Sequence, residues 1–343
     1  MGDIMASDTS LDTSRRAFLK KSAALSGLAL GTSFGMGIPP VQAAKPLRWG
    51  SASPGASGYV IIEALASTVS KYSDVKGSAI STGGATENMA LLGTKEVDLG
   101  QTTSWSWTPA KMGVKPFPMK IEPVQMCSYA LWSLHPMVLA SSDVKTLDDL
   151  KGRRISPGPA GGVTTFVWKL LFEKAGLADQ VDWSYAGWRE SYDALKSGAI
   201  DCTGTVLVAG KPGGALAELA SSHKLRLLDV DPDLIKEVSG ANPGAMTFNI
   251  TPQMWDAVSK PVDLISVAGI LGSVPEVDND TGYTIIKNIY DHAEEIRKIS
   301  PVLRLINLDF ATKFLMSAFP VNGGAAKYFK EKGIWRNELP IRA

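Results

Sequence analysis

The residues best suited to chemistry lie in one short stretch, Arg154–Leu171. Its Pro/Gly loop, Pro157 to Gly162, cannot continue a strand or a helix interior. Behind the loop, Val163, Phe166, Val167, Leu170 and Leu171 recur at i, i+3, i+4, i+7 and i+8, the spacing of one buried helix face. The order is strand, glycine loop, helix start. The first turn of such a helix has N–H groups without a helical acceptor, and the glycines let a ligand approach the main chain. With the hydroxyls of Thr164 and Thr165, this forms a cradle for a carboxylate or phosphate. A helix end contributes about 0.3–1 kcal/mol, up to about 2 when partly buried, whereas micromolar affinity needs about 8 kcal/mol. A second surface must therefore close over the cradle. The competing reading is an ordinary strand-to-helix turn that binds nothing. A nucleotide P-loop does not fit, because no Gly-Lys-Ser/Thr follows and Lys169 lies inside the helix.

Material for metal or nucleophilic catalysis is thin. Cys127 and Cys202 have no metal-ligand spacing, and His135, His223 and His292 are scattered. Both cysteines sit in apolar strand-like runs, so buried free thiols are expected. A formal charge of +1 argues against nucleic acid as a partner. The 343 residues, 45% hydrophobic and 20% charged, suffice for two domains with real cores. No cofactor is expected.

The N-terminus has the layout of a secretory signal. Arg15 and Arg16 precede Ala17, Phe18, Leu19 and Lys20, an apolar run follows to Ile38, and Val41-Gln42-Ala43 offers small residues for cleavage. The paired arginines with Phe18, Leu19 and Lys20 resemble a twin-arginine signal. The expectation is export to the periplasm, cleavage near Ala43 and a mature monomer.

Three further stretches repeat the strand, glycine/serine loop and helix pattern, or part of it. Pro46–Ser51 leads to Ser53–Tyr59, then to a helix face of Ile61, Ile62, Leu65 and Val69. Ser78-Ala79-Ile80 leads to Ser81–Asn88. Val97–Gly100 opens on Gln101–Trp107. Strands are also expected at Val124–Tyr129, Met137–Ala140, Asp182–Tyr185, Ile200–Val206, Leu225–Asp229 and Leu264–Ala268. Thr146–Leu150 has capping-box spacing with Asp149 in the Glu/Gln place. Strands alternating with helices imply parallel sheets covered on both faces, with ligands at the carboxyl ends of strands. We divide the chain into a signal peptide (1–43), a first lobe (44–139 with 230–343) and a second lobe (140–229).

Taken in order, these segments resemble the substrate-binding proteins of TRAP transporters, TAXI type, from about Leu47 to Gly333. The resemblance rests on Gly50–Tyr59, Ser81-Thr82-Gly83-Gly84 with Glu87-Asn88, Leu147–Arg154, Gly158–Gly162, Ser197–Asp201 with Ala209–Pro212, and Pro320–Gly333. Three positions depart from the family pattern. Gly58 stands where a second tyrosine is usual, Asn322 stands for histidine, and Gln101–Trp105 replaces an apolar strand running to Ser-Asp. The resemblance implies an α/β, two-lobed periplasmic binding protein fold of type II-like form, each lobe a mixed, mostly parallel sheet flanked by helices. It also implies a ligand cleft between the lobes, delivery to an ion-gradient-driven permease, and no catalysis.

On this reading Gly161, Gly162, Val163 and Thr164 bind a carboxylate-type organic acid. Ser53, Ser57 and Tyr59 face them, and Thr82, Gly83, Gly84 and Asn88 add polar contacts. Gln101, Thr102 and Trp105 replace the family's carboxylate position and suit an aromatic or keto acid. Trp188 and Arg189 lie in the loop before a helix, with Arg189 a charge clamp. Blander roles compete: Asn88 bonding local backbone, Trp105 in the core, and Arg189 paired at the surface. A periplasmic enzyme exported with a cofactor, or a ligand-binding module for a membrane sensor, are the alternative functions.

Overall fold

A computed structural model describes residues 46–342. The proposed signal, with Arg15, Arg16 and the cleavage position near Ala43, lies outside the described residues. Among those described, no helix is long and apolar enough to cross a membrane.

The described residues begin with β1 (Leu47–Gly50), α1 (Ser57–Tyr72), β2 (Gly77–Ile80), α2 (Ala85–Gly93), β3 (Leu99–Thr103) and α3 (Ser104–Met112), and then enter β4 (Val124–Leu139). The next part holds β5 (Arg154–Ser156), α4 (Val163–Lys174), β6 (Asp182–Trp183), α5 (Trp188–Ser197), β7 (Cys202–Val208), β8 (Lys211–Pro212), α6 (Ala215–Ser222) and β9 (Leu225–Leu227). After them come α7 (Pro232–Gly240), β10 (Ala245–Ile250) and β11 (Val262–Ser273). The described residues end with α8 (Asn279–Asp291), α9 (Ala293–Ile299), α10 (Leu308–Ala311), β12 (Val321–Asn322), α11 (Gly323–Glu331) and β13 (Ile341–Arg342).

The strands join in the order β2-β1-β3-β11-β4-β7-β5-β6. β1 is parallel to β2 and β3, and β5 is parallel to β6 and β7. These two parallel groups are the sheets of two α/β lobes. The antiparallel strands β11 and β4 lie between them. β4 serves both lobes: Val124–Leu134 pairs with β11, and Trp132–Met137 pairs with β7. Two separate strands were expected here. The observed 16-residue strand is continuous and buried along all but its last residue, because neighbours flank it over its whole length.

The α4 face differs from its periodic pattern. Val163, Phe166 and Leu170 are half-buried, while Val167, Trp168, Leu171 and Phe172 form the buried side. The large rings decide the rotation. Trp168 stacks on Phe172 at 5.6 Å, and Phe172 meets Trp183 edge-on at 5.2 Å. β3 also runs further than expected, through Gln101 and Thr102 to Thr103, so these residues lie in a buried strand and Trp105 in a helix. Cys127 and Cys202 are free and buried, and burial pushes the Cys127 thiol up to about 12.

Candidate functional site

Three helices, α1, α2 and α4, start around one cavity of about 40 Å³ between the lobes, and the Trp188 side chain at the head of α5 reaches it. From the first lobe the lining includes Ser53, Ala56, Ser57 and Gly58 before and at α1, and Gly83, Gly84 and Ala85 before and at α2. Facing them are Gly162, Val163 and Thr164 at α4, Trp188 at α5 and Val206 on β7. Gln101 of β3 and Trp132 and Leu134 of β4 complete the wall. Water needs about 10–15 Å³ of such space, so the cavity takes one to three waters or a group of similar size.

The helix caps here are Ala56, Gly84, Gly162 and Gly187, and none offers a side-chain hydrogen bond. α2 is capped instead from the opposite lobe. Thr86 N and Glu87 N donate to the Gly161 carbonyl at 3.2 and 3.3 Å. The contact is reciprocated, since Ala215 N at the start of α6 donates to the Gly55 carbonyl at 3.0 Å. The leading N–H groups of α1 and α4 have no acceptor among the described residues, and they give two sides of the cavity partial positive charge, whereas α5 reaches it through the Trp188 side chain.

No Asp, Glu, Lys, Arg or His lines this cavity among the described residues. The negative charge of an oxyanion would be met by backbone dipoles and neutral hydroxyls. Ser57 Oγ accepts from Trp132 Nε1 at 3.1 Å, which leaves its O–H to donate. The Ser53 hydroxyl and Gln101 Oε1 are buried without partners. Trp188 forms an apolar wall. Its indole lies against Gly158 and Gly204 and stacks on Tyr192 at 5.7 Å. A Cβ at Gly158 would come within 2.7 Å of the indole, and its φ of +94° already favours glycine.

Of the residues singled out in the sequence, Ser53, Ser57, Gly83, Gly84, Gln101, Gly162, Val163, Thr164 and Trp188 are brought together at this cavity. The others lie elsewhere. Tyr59 packs on an apolar cluster around Trp188 and Trp255. Thr82 Oγ1 donates to the Ser51 carbonyl at 3.1 Å. Asn88 is fully buried, its amide donating to the carbonyls of Ser51 at 2.7 Å and Gln101 at 2.9 Å, so it ties β1 to β3. Thr102 Oγ1 donates to Ile270 O at 2.6 Å and accepts from Trp107 Nε1 at 2.9 Å. Trp105 sits in the core and its carbonyl accepts from Asn242. Gly161 caps α2. Arg189 makes a two-pronged pair with Glu218 at 2.8 and 3.1 Å, with side chains 52% and 63% exposed. Water reaches both groups, so this pair is a surface feature and not a clamp in the cleft.

Trp132, Leu134 and Val206 were missed from sequence. They lie on the strands that pass between the lobes, which are buried on both faces and show no inside–outside alternation. The spacing of Trp132 and Leu134, two apart on one strand, is the single signal that would have put them on a common side.

Comparison with known proteins finds similar solved structures and a matching family model. A putative L-cystine ABC transporter from Listeria monocytogenes is 14% identical, with 78% of this chain and 98% of that chain covered and a TM-score of 0.46. The periplasmic aliphatic sulphonate binding protein SsuA from Escherichia coli is 14% identical, over 83% of this chain and 78% of that one, with a TM-score of 0.41. The family model described as the NMT1-like family matches residues 49–333, nearly the whole described region. The chain belongs to the NMT1-like family.

Proposed function

We propose that this protein is an extracytoplasmic solute-binding protein that encloses a small organic oxyanion between its lobes and delivers it to a membrane transporter. The observation that carries the reading is the meeting of α1 and α4, both without side-chain caps, at one cavity lined from both lobes. A solute held there touches both lobes, so it stabilises the closed arrangement through contacts that an open one lacks. The donors are mostly fixed backbone groups, which lowers the ordering cost of binding. No bond-making role falls to any residue on this reading.

The two lobes in this proposal are 44–139 with 230–343, and 140–229, and β4 is a strand about which they move. The transporter is an ion-gradient-driven TRAP permease, a reading supported by the order of the sequence motifs. The solutes named for the two solved proteins above belong to those proteins. Export follows the twin-arginine route through Arg15 and Arg16, and replacing both with lysine should retain the precursor in the cytoplasm.

The first test is native mass spectrometry of gently purified periplasmic protein, with the released material identified after denaturation. Stoichiometric release of a small organic acid supports the reading. A retained metal or redox cofactor overturns it in favour of an enzyme. Uptake of that acid in cells then separates the transporters: collapse of the ion gradient stops a TRAP permease, and depletion of ATP with the gradient clamped stops an ABC transporter.

A further inference from the structure

We infer that the solute is a short oxyanion that also carries a neutral hydrogen-bond donor, a small hydroxy acid, and that zwitterionic amino acids are excluded. This rests on the reading of the cavity as the solute site. It goes further by using what the wall lacks and what it leaves unpaired.

Gln101 is the decisive residue. It is 7% exposed, it lines the cavity, and its Oε1 has no hydrogen-bond partner. A buried amide oxygen without a donor is costly, so a ligand donor at this point is worth more than it would be in water. The site is built around this side chain. An added Cβ on Gly58, in the first turn of α1, would fall 1.9 Å from Gln101 Oε1 and 2.7 Å from its Nε2. Glycine at 58 is what lets the amide lie against the start of that helix. Asn88 holds the strand behind it through the Gln101 carbonyl.

The donor must be neutral. An ammonium here would lose its water with no carboxylate in the wall to replace it. Glu87 lies outside the lining, and its carboxylate accepts the Gly83 N–H at 3.0 Å. The ammonium would also face the positive ends of α1 and α4. A hydroxyl supplies the proton Gln101 lacks without a charge, and the oxyanion takes the helix ends and the Ser57 hydroxyl. The cavity of about 40 Å³ requires the enclosed part to be short.

The test is titration calorimetry of the ligand-stripped protein with three matched series: glycolate and lactate, acetate and propionate, glycine and alanine. The hydroxy acids should bind at least tenfold more tightly than the unsubstituted acids and at least a hundredfold more tightly than the amino acids. Gln101→Glu should reverse the order of hydroxy and amino acids, because its carboxylate supplies the missing counter-charge. Gln101→Met, close in size, should erase the preference for the hydroxyl while keeping carboxylate binding. It serves equally if the Glu variant fails to fold. Amino acids binding as tightly as hydroxy acids to the unaltered protein would overturn this inference and leave the solute-binding reading standing. Binding of none of the three series would overturn both.

Discussion

Helices that start at the cavity and four of those that start elsewhere are capped in different ways. α7, α8, α10 and α11 begin with Asp231, Asp278, Asn307 and Asn322, and each side-chain oxygen accepts a first-turn N–H. α1, α2, α4 and α5 begin with alanine or glycine and have no such bond. An Asp or Asn cap is worth about 0.5–2 kcal/mol over alanine. α3 and α9 also lack a side-chain cap although they start away from the cavity, and α2 is capped by the Gly161 carbonyl, so the contrast is between the four Asp/Asn-capped helices and α1 and α4, whose open ends leave room for a solute. α6 shows the intermediate case, with the Gly55 carbonyl of the opposite lobe at its start.

The largest expected effect comes from filling the space the caps leave open. Gly162 has φ −78°, a conformation open to any residue, and lies at the cavity wall. A Cβ here would lie 3.1 Å from the Pro159 carbonyl, so Gly162→Trp should lower the melting temperature by several degrees and weaken solute binding by at least a hundredfold in the folded variant. Unchanged affinity in a folded variant would remove the cavity from the comparison.

A second test asks whether unpaired polar groups away from the cavity are simply costly. His135, on the crossing strand β4, is 1% exposed; its Nε2–H donates to Leu228 O at 2.8 Å and its Nδ1 has no partner. Burial, partly offset by the Leu228 bond, lowers its pKa from the ordinary 6.5 to about 4. Between these values the unfolded chain binds the proton and the folded one does not, so stability rises with pH across that window. The slope is about 1.4 kcal/mol per pH unit and the total about 3 kcal/mol, present above pH 6.5 and lost as pH falls toward 4. His135→Gln keeps a donor for Leu228 and should flatten this part of the pH–stability curve, as measured by urea unfolding. An unchanged slope would mean that other groups cause it.

Residues that punctuate the backbone were readable in sequence, and residues defined by long-range partners were not. The Pro157–Gly162 loop and the α4 start follow from local geometry, and so does Asp149, which accepts from Thr146 N at 2.9 Å and the Thr146 hydroxyl at 3.0 Å. Asn322, noted as a departure from histidine, is the cap of α11 and also donates to Val277 O at 2.9 Å. Arg189 looked like a clamp because Glu218, its partner, lies on another helix. Gly58 and Gln101 appeared as two separate departures, and only the fold shows that they touch. Trp132 and Leu134 stayed hidden because β4 is buried on both faces.

Giving a cavity helix the cap it lacks should split stability from binding. Ala56 has φ −72° and ψ 146°, the backbone of an ordinary cap position. Ala56→Asp would satisfy the α1 N–H groups and place a negative charge among the solute's donors. The expected result is a gain of about 1 kcal/mol in unfolding free energy together with a tenfold or greater loss of oxyanion affinity. A variant that gains both, or loses both, would show that the missing cap is unrelated to binding.

The smallest expected effect is the reverse substitution at a helix that starts elsewhere. Asp278 accepts from Thr281 N at 2.7 Å and from the Thr281 hydroxyl at 3.0 Å. The Thr281 backbone N–H holds its carboxyl below the usual carboxylate range, so the cap is charged at neutral pH. Asp278→Ala frees that N–H to water at an exposed helix end and should cost about 1 kcal/mol, with solute affinity unchanged. The lost increment should also vanish from the unaltered protein as pH falls through the Asp278 titration, since a protonated cap accepts more weakly. If solute affinity fell with stability, capping and binding would not be separable properties of different helices, and the contrast between the two sets would reduce to one of general packing.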